Sequence, residues 1–158
     1  MRNMTVCFIV REAPHSEVLL GYKKRGFGVG KLAGIGGHVE AGETTLSAAI
    51  REVQEEIGVQ IEEYALESMG SITFLFPHKP TWNQVVHIFV TTQWEGEPSE
   101  SDEMRPEWYQ TNALPFEQMW DDSHYWLPQI LLGQPVQGQI IFAEDNETVH
   151  DTQLTLQS

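Results

Sequence analysis

At 158 residues with a formal net charge of −14, the chain is long enough to bury one core and carries the wrong sign of charge for a long polyanion. Hydrophobic residues are 41% of it, yet no apolar run approaches the roughly 20 residues that span a bilayer, and the single cysteine, Cys7, excludes an internal disulfide or a cysteine-based zinc site. These bounds predict one domain over residues 1–158, cytoplasmic, a monomer or homodimer, with neither a nucleic-acid polymer nor a membrane as partner.

Residues 5–10 (TVCFIV) are apolar and β-branched and predict a strand. Arg11 and Glu12 end that run with no small-residue cleavage site behind it, which argues against a signal peptide. Pro14 and His15 mark a turn, and Glu17–Lys23 (EVLLGYK) predicts a second strand that completes a hairpin. From Lys23 onward, KKRGFGVG places three cations before three glycines and one aromatic, without the lysine–serine ending of a phosphate loop. The segment reads as a mobile loop over a ligand, with Lys23 near phosphate and Phe27 against a base, or as a basic turn with a hydrophobic plug. Residues 32–35 predict a short strand running into Gly36 and Gly37, where the backbone can approach a ligand and the Gly36 carbonyl becomes a candidate metal ligand.

The stretch 37–59, GHVEAGETTLSAAIREVQEEIGV, opens with a glycine turn, places Glu43 in the approach and then predicts a helix ending at Gly58. Leu46, Ala49, Ile50, Val53 and Ile57 recur at i, i+3, i+4, i+7 and i+11, the stripe that faces a core. Thr44 or Thr45 can cap the start, and Gly58 suits the left-handed residue after the last turn. Glu52, Glu55 and Glu56 crowd one side of this helix, a spacing that folding does not ask for. They form either a solvated acidic face or a site for a hard divalent cation, which takes oxygen ligands.

Beyond the helix, residues 68–76 and 84–94 predict strands, the second with Val86, Ile88 and Val90 on one face and Val85, His87 and Phe89 on the other. Residues 77–80 predict a turn and 96–104 (GEPSESDEM) an acidic loop. Residues 105–110 predict a strand, and Pro106, which cannot donate to a ladder, points to an edge or a bulge there. Residues 115–120 predict a helical turn, and Asp121, Asp122 and Ser123 can cap a second helix that Pro128 makes awkward. Residues 137–143 and Val149–Leu156 predict a C-terminal hairpin turning at Asp145 and Asn146. The pattern is that of an α+β or α/β/α layered domain.

Gly37, Glu43, Arg51, Glu52, Val53, Glu55, Glu56, Gly58 and Val59 fix nine positions over 23 residues, and in this pattern the chain resembles the Nudix family. The resemblance implies the Nudix α/β/α sandwich, a mixed sheet with the acidic helix packed on it. It implies Mg²⁺, with Mn²⁺ as a substitute, and hydrolysis of a small nucleoside diphosphate derivative. Glu52 and Glu56 would be the main metal ligands, Glu55 a ligand or the base, and Gly36 would add its carbonyl. Arg51 would pair with Glu43, and Glu103 from the acidic loop would complete the metal site.

The likeness extends to Val18-Leu19-Leu20-Gly21, to Lys23-Lys24-Arg25-Gly26-Phe27-Gly28, to the stretch from Glu100 to Pro106, and to Met119-Trp120 with Tyr125-Trp126. These resemble the animal-type MutT-homologue branch, the oxidised-purine nucleoside triphosphatases that convert 8-oxo-dGTP to monophosphate and pyrophosphate. Carried over, the base pocket would use Thr5, Lys23, Phe27, Phe74, Phe76, Trp120, Asp121 and Asp122. At two places the chain departs from that branch. Ala33 stands where an asparagine is expected, and the acidic pair lies one residue nearer Trp120, so that an unshifted register would leave Asp122 and Ser123 at the recognition positions. The resemblance therefore implies a nucleoside triphosphate pyrophosphohydrolase, with oxidised purine triphosphates as one candidate substrate group and a broader or different base preference as the other. Another nucleoside diphosphate derivative as substrate, or a non-catalytic nucleotide sensor, are the competing readings.

Overall fold

The computed structural model describes residues 1–12 and 15–157. Of the first expected turn, Pro14 lies outside the described residues. The first two strands, β1 (Arg2–Arg11) and β2 (Glu17–Lys23), pair antiparallel, and the short β3 (Leu32–Ala33) follows. Next come helix α1 (Thr45–Ile57), β4 (Glu67–Leu75), β5 (Gln84–Thr91) and β6 (Met104–Gln110). Helix α2 (Ser123–Leu131) precedes the hairpin of β7 (Val136–Phe142) and β8 (Val149–Leu156). The strands form one mixed sheet in the order β3-β2-β1-β5-β4-β7-β8, with β6 on the free edge of β2. The β1–β5 and β4–β7 pairs are parallel and the rest antiparallel. Pro106 sits on β6, which among the described residues pairs with β2 alone.

The unbroken apolar run in β1 follows from helices on both faces of the sheet. Phe8, Val18, Leu20 and Ile88 pack with Leu127 and Ile130 of α2, whereas Cys7, Ile9, Leu19 and Phe89 pack with Val53 and Ile57 of α1. Adjacent residues of a strand thus serve opposite layers, which makes the α/β/α sandwich. No described helix is long and apolar enough to cross a membrane.

The feature that positions the site is a split in this sheet. β1 and β2 pair through Ile9–Leu19, Val10–Val18 and Arg11–Glu17 and then diverge. The segment after β2 fills the gap, with Ala33 and Leu32 against β2 and Ile35 and His38 bridged to Cys7 and Met4 of β1. Its glycines are dictated by crowding. A Cβ on Gly34 would lie 2.5 Å from Val6, one on Gly36 1.9 Å from the Thr5 carbonyl, and one on Gly37 2.4 Å from the Glu52 carboxylate. Glycine alone lets the chain thread between the strands and under the acidic helix.

Two expectations at helix starts resolve differently. Thr44 caps α1, its hydroxyl accepting the Ser47 N–H at 3.0 Å, and Gly58 closes the helix at φ +72° by donating to the Gln54 carbonyl at 2.9 Å. At α2 the expected acidic cap does not form. Asp122 occupies the cap position with helical backbone angles, and its carboxylate accepts the Trp126 indole N–H at 2.8 Å instead. Because the Thr44 bond satisfies an otherwise orphaned helix N–H, Thr44→Ala is expected to lower unfolding free energy by about 1 kcal/mol in urea denaturation, with Thr44→Ser close to wild type.

Candidate active site

Arg51 gathers the acidic helix and the loop before it. Its Nε and Nη2 donate to the two Glu43 oxygens at 2.7 and 2.9 Å, and Nη2 also reaches the His38 carbonyl at 2.9 Å. A planar fork meeting a carboxylate this way is both strong and directional. The Arg51 hydrogen bond, aided by the Glu40 N–H, pulls the Glu43 carboxyl down to about 2. Nη1 spreads further, to Glu52 at 3.0 Å and Glu55 at 3.2 Å. Those two contacts were not foreseen, because sequence gives Arg51 one partner and structure gives it three carboxylates and a carbonyl.

Two carboxylates of this cluster are half-buried. Burial raises the Glu52 carboxyl above its ordinary value, with Arg51 opposing. Burial likewise raises Glu56, and the charges of Glu103, Glu52 and Glu55 add to the effect while Lys23 works against it. Glu103 is brought to this cluster by Lys24, which pairs with Glu100, donates from Nζ to the Ser101 carbonyl at 2.8 Å and from its backbone to the Glu103 carbonyl at 2.9 Å. Among the described residues no three acidic, histidine or cysteine side chains already close around one point. The donor set nevertheless fits a hard divalent ion. It offers half-buried carboxylates that repel one another and a Gly36 carbonyl to which, among the described residues, no backbone N–H donates.

On the α2 face of the sheet, a cavity of about 160 Å³ reaches from the split towards this cluster. Thr5, Lys23, Phe27, Ala33, Phe74, Phe76, Trp120 and Asp122 all line it, together with Gly36. Lys23 belongs to both halves, since it lines the cavity and its charge acts on Glu56. The loop carrying Phe27 is closed by its own backbone bonds, Gly30 N–H to Lys23 and Lys31 N–H to Gly28. Phe27 and Trp120 stack on each other at 5.3 Å and 18°. A base slipped between them would need about 7 Å, twice an ordinary carbon contact, so the two rings form one wall rather than a clamp. Phe76 is fully buried and stacks at 4.5 Å on Phe142, supporting that wall from behind.

Asp121, expected at the base edge, lies outside the cavity. Its carboxylate accepts the Val149 N–H at 2.8 Å and anchors the start of β8. Asp122 and Ser123 occupy the edge instead, both buried. Burial pushes the Asp122 carboxyl up to about 6, and the Trp126 N–H holds it from going further. His87 and His124 are not in the lining: His87 bonds Asn3 at 2.8 Å, and His124 packs on Tyr125. The lining also includes Lys31, whose Nζ is 4.9 Å from the centre of the Trp120 ring, and Gln84. Gln84 was not singled out from sequence, although it shares a strand face with Val86 and Ile88 and stands out there as polar.

The NUDIX domain family matches residues 1–148. The chain is 50% identical over 115 residues to the oxidized purine nucleoside triphosphate hydrolase of Danio rerio, covering 73% of this chain and 72% of that one. It is 42% identical over 133 residues to the protein of the same name from Mus musculus, covering 84% and 83% of the two chains. Among solved structures, the MutT protein from Bacillus halodurans is 25% identical and superposes with a TM-score of 0.79 over 98% of this chain and 97% of that one. With the box, the layered sheet and these likenesses in agreement, the chain belongs to the Nudix hydrolase family.

Proposed function

We propose that the protein is a Mg²⁺-dependent nucleoside triphosphate pyrophosphohydrolase that releases the monophosphate and pyrophosphate, with oxidised purine deoxynucleoside triphosphates such as 8-oxo-dGTP among its substrates. The observation that carries this reading is the junction at Lys23, where an aromatic cavity suited to a base meets an acidic helix suited to a metal-bound phosphate chain. The names of the zebrafish and mouse relatives support the same substrate class.

Glu52 and Glu56 would hold the ion with the Gly36 carbonyl, and Glu55 and Glu103 would add to the acidic ring; Mn²⁺ satisfies the same oxygen donors. When bound, the ion neutralises anhydride oxygens that would otherwise repel an attacking hydroxide. A carboxylate of the cluster takes the proton of the attacking water, whose oxygen joins phosphorus as the anhydride between the first and second phosphates breaks. The Lys23 ammonium offsets phosphate charge at the junction, and the Phe27–Trp120 wall holds the base. Arg51 and Glu43 touch none of the reacting atoms and act by fixing the carboxylates in place.

The direct test is hydrolysis with Mg²⁺ of canonical and oxidised nucleoside triphosphates, nucleoside diphosphates and a nucleotide sugar. The triphosphates are expected to give the largest kcat/KM with pyrophosphate as product, and Glu56→Gln to lose roughly 100-fold or more in kcat. No pyrophosphate from any triphosphate would refute the reading.

Asp122 gives a second test. Its folded-state pKa lies above the unfolded one, so the protonated native form is favoured and the stability it brings is complete below about pH 4. That contribution falls as pH rises and is gone above about pH 6, a change of at most about 3 kcal/mol. The nearby Asp121 charge deepens the effect and His124 opposes it. Asp122→Asn is therefore expected to gain Tm relative to wild type as pH goes from 4 to 7. A difference in Tm that does not vary with pH would contradict the assignment.

A further inference from the structure

Three buried side-chain oxygens lack a hydrogen-bond donor among the described residues, those of Gln84, Gln129 and Asn146. Of these, the Gln84 oxygen alone belongs to a residue that lines the cavity. Gln84 opens β5 between Phe74 of β4 and Arg2 of β1, and strand alternation puts its side chain on the same face as Val86 and Ile88, which also line the cavity. Its neighbour Asn83 already serves the preceding turn, accepting the Phe76 N–H at 2.7 Å on its side chain and the Arg2 N–H at 3.1 Å on its carbonyl. The Gln84 amide has no such task. A buried carbonyl oxygen without a donor is destabilising, and a methionine or leucine would fill the same volume without that cost.

The other edge-reading positions sharpen the point. Ala33 presents only a methyl group to the cavity, and Asp121 is turned away to Val149. Asp122 and Ser123 read from the start of α2, while Gln84 stands on the sheet beneath. A planar base in the cavity would meet polar groups from two separate elements.

We propose that Gln84 determines base specificity, its side-chain oxygen accepting a hydrogen bond from an N–H on the edge of a purine held in the cavity. This rests on the triphosphatase reading above. The contact replaces, from another strand, the amide function that Ala33 lacks. A site that hydrogen-bonds a substrate N–H discriminates strongly against the analogue without it, because the protein group is then left unpaired.

The test pairs each enzyme with substrates that differ at a donor N–H: 8-oxo-dGTP against dGTP, which differ at N7–H and also at the C8 oxygen, dGTP against dITP, and dATP against purine deoxyriboside triphosphate. Wild type is expected to prefer the donor-bearing member of at least one pair by about tenfold or more in kcat/KM. In Gln84→Met that preference shrinks to within about twofold, while Tm is equal to or above wild type because an unpaired oxygen is gone. Gln84→Glu keeps an acceptor and retains the preference. Unchanged ratios in Gln84→Met for all three pairs overturn the proposal, as does loss of preference in Gln84→Glu, which would move the contact to the amide nitrogen. A wild type inert on every triphosphate fails the underlying reading instead, so the two failures are distinct.

Discussion

The bidentate bond between Arg51 and Glu43 is the constraint on which the site depends. Five carboxylates on and around α1 belong to a chain that already carries a large negative charge, and nothing in hydrophobic packing would hold them together. Arg51 reaches Glu43, Glu52 and Glu55 at hydrogen-bond distance and Glu40 at 3.8 Å, so one guanidinium answers four of them. The same group holds the His38 carbonyl, which ties the glycine-rich segment to the helix. Glu56 is left to Lys23.

The divergence of β1 and β2 gives that clamp its setting. A continuous sheet would separate the α1 layer from the α2 layer. Because the segment after β2 wedges between the two strands, Gly36 and Gly37 touch the Thr5 backbone on one side and the Glu52 carboxylate on the other. The acidic helix and the aromatic cavity, on opposite faces, thereby share a boundary at Gly36 and Lys23. The acidic cluster and the aromatic cavity are thus built by different layers, with Ala33, Ser123 and Gln84 in the lining of the second.

Much of this was legible in the chain because the signals are local. The apolar stripe of α1, its Thr44 and Gly58 caps and the alternation in β5 depend on neighbours a few residues away. The spacing of the glutamates did the same for the acidic cluster. What could not be read was set by distant partners. Asp121 and Asp122 look equivalent in sequence, but a turn of backbone at the start of α2 sends one to Val149, 28 residues on, and the other to Trp126 inside the cavity. Phe27 and Trp120 each looked like a surface for a base, and only their mutual stacking shows that they form one wall. Glu103 looked like any loop acid until Lys24 fixed its loop. Gln84 is the intermediate case, since a lone polar residue on the Val86–Ile88 face is visible in the chain itself and its place in the cavity is not.

If the clamp governs the metal site, then removing it must weaken a cation that it never touches. Titrating Mn²⁺ into wild type and Glu43→Gln by electron paramagnetic resonance measures this directly, with circular dichroism confirming that both are folded. The affinity of Glu43→Gln is expected to fall about 10–100-fold, as losses of groups that orient metal ligands generally do. Equal affinity in the two proteins would contradict the account of Arg51 and Glu43 as the organisers of the acidic helix.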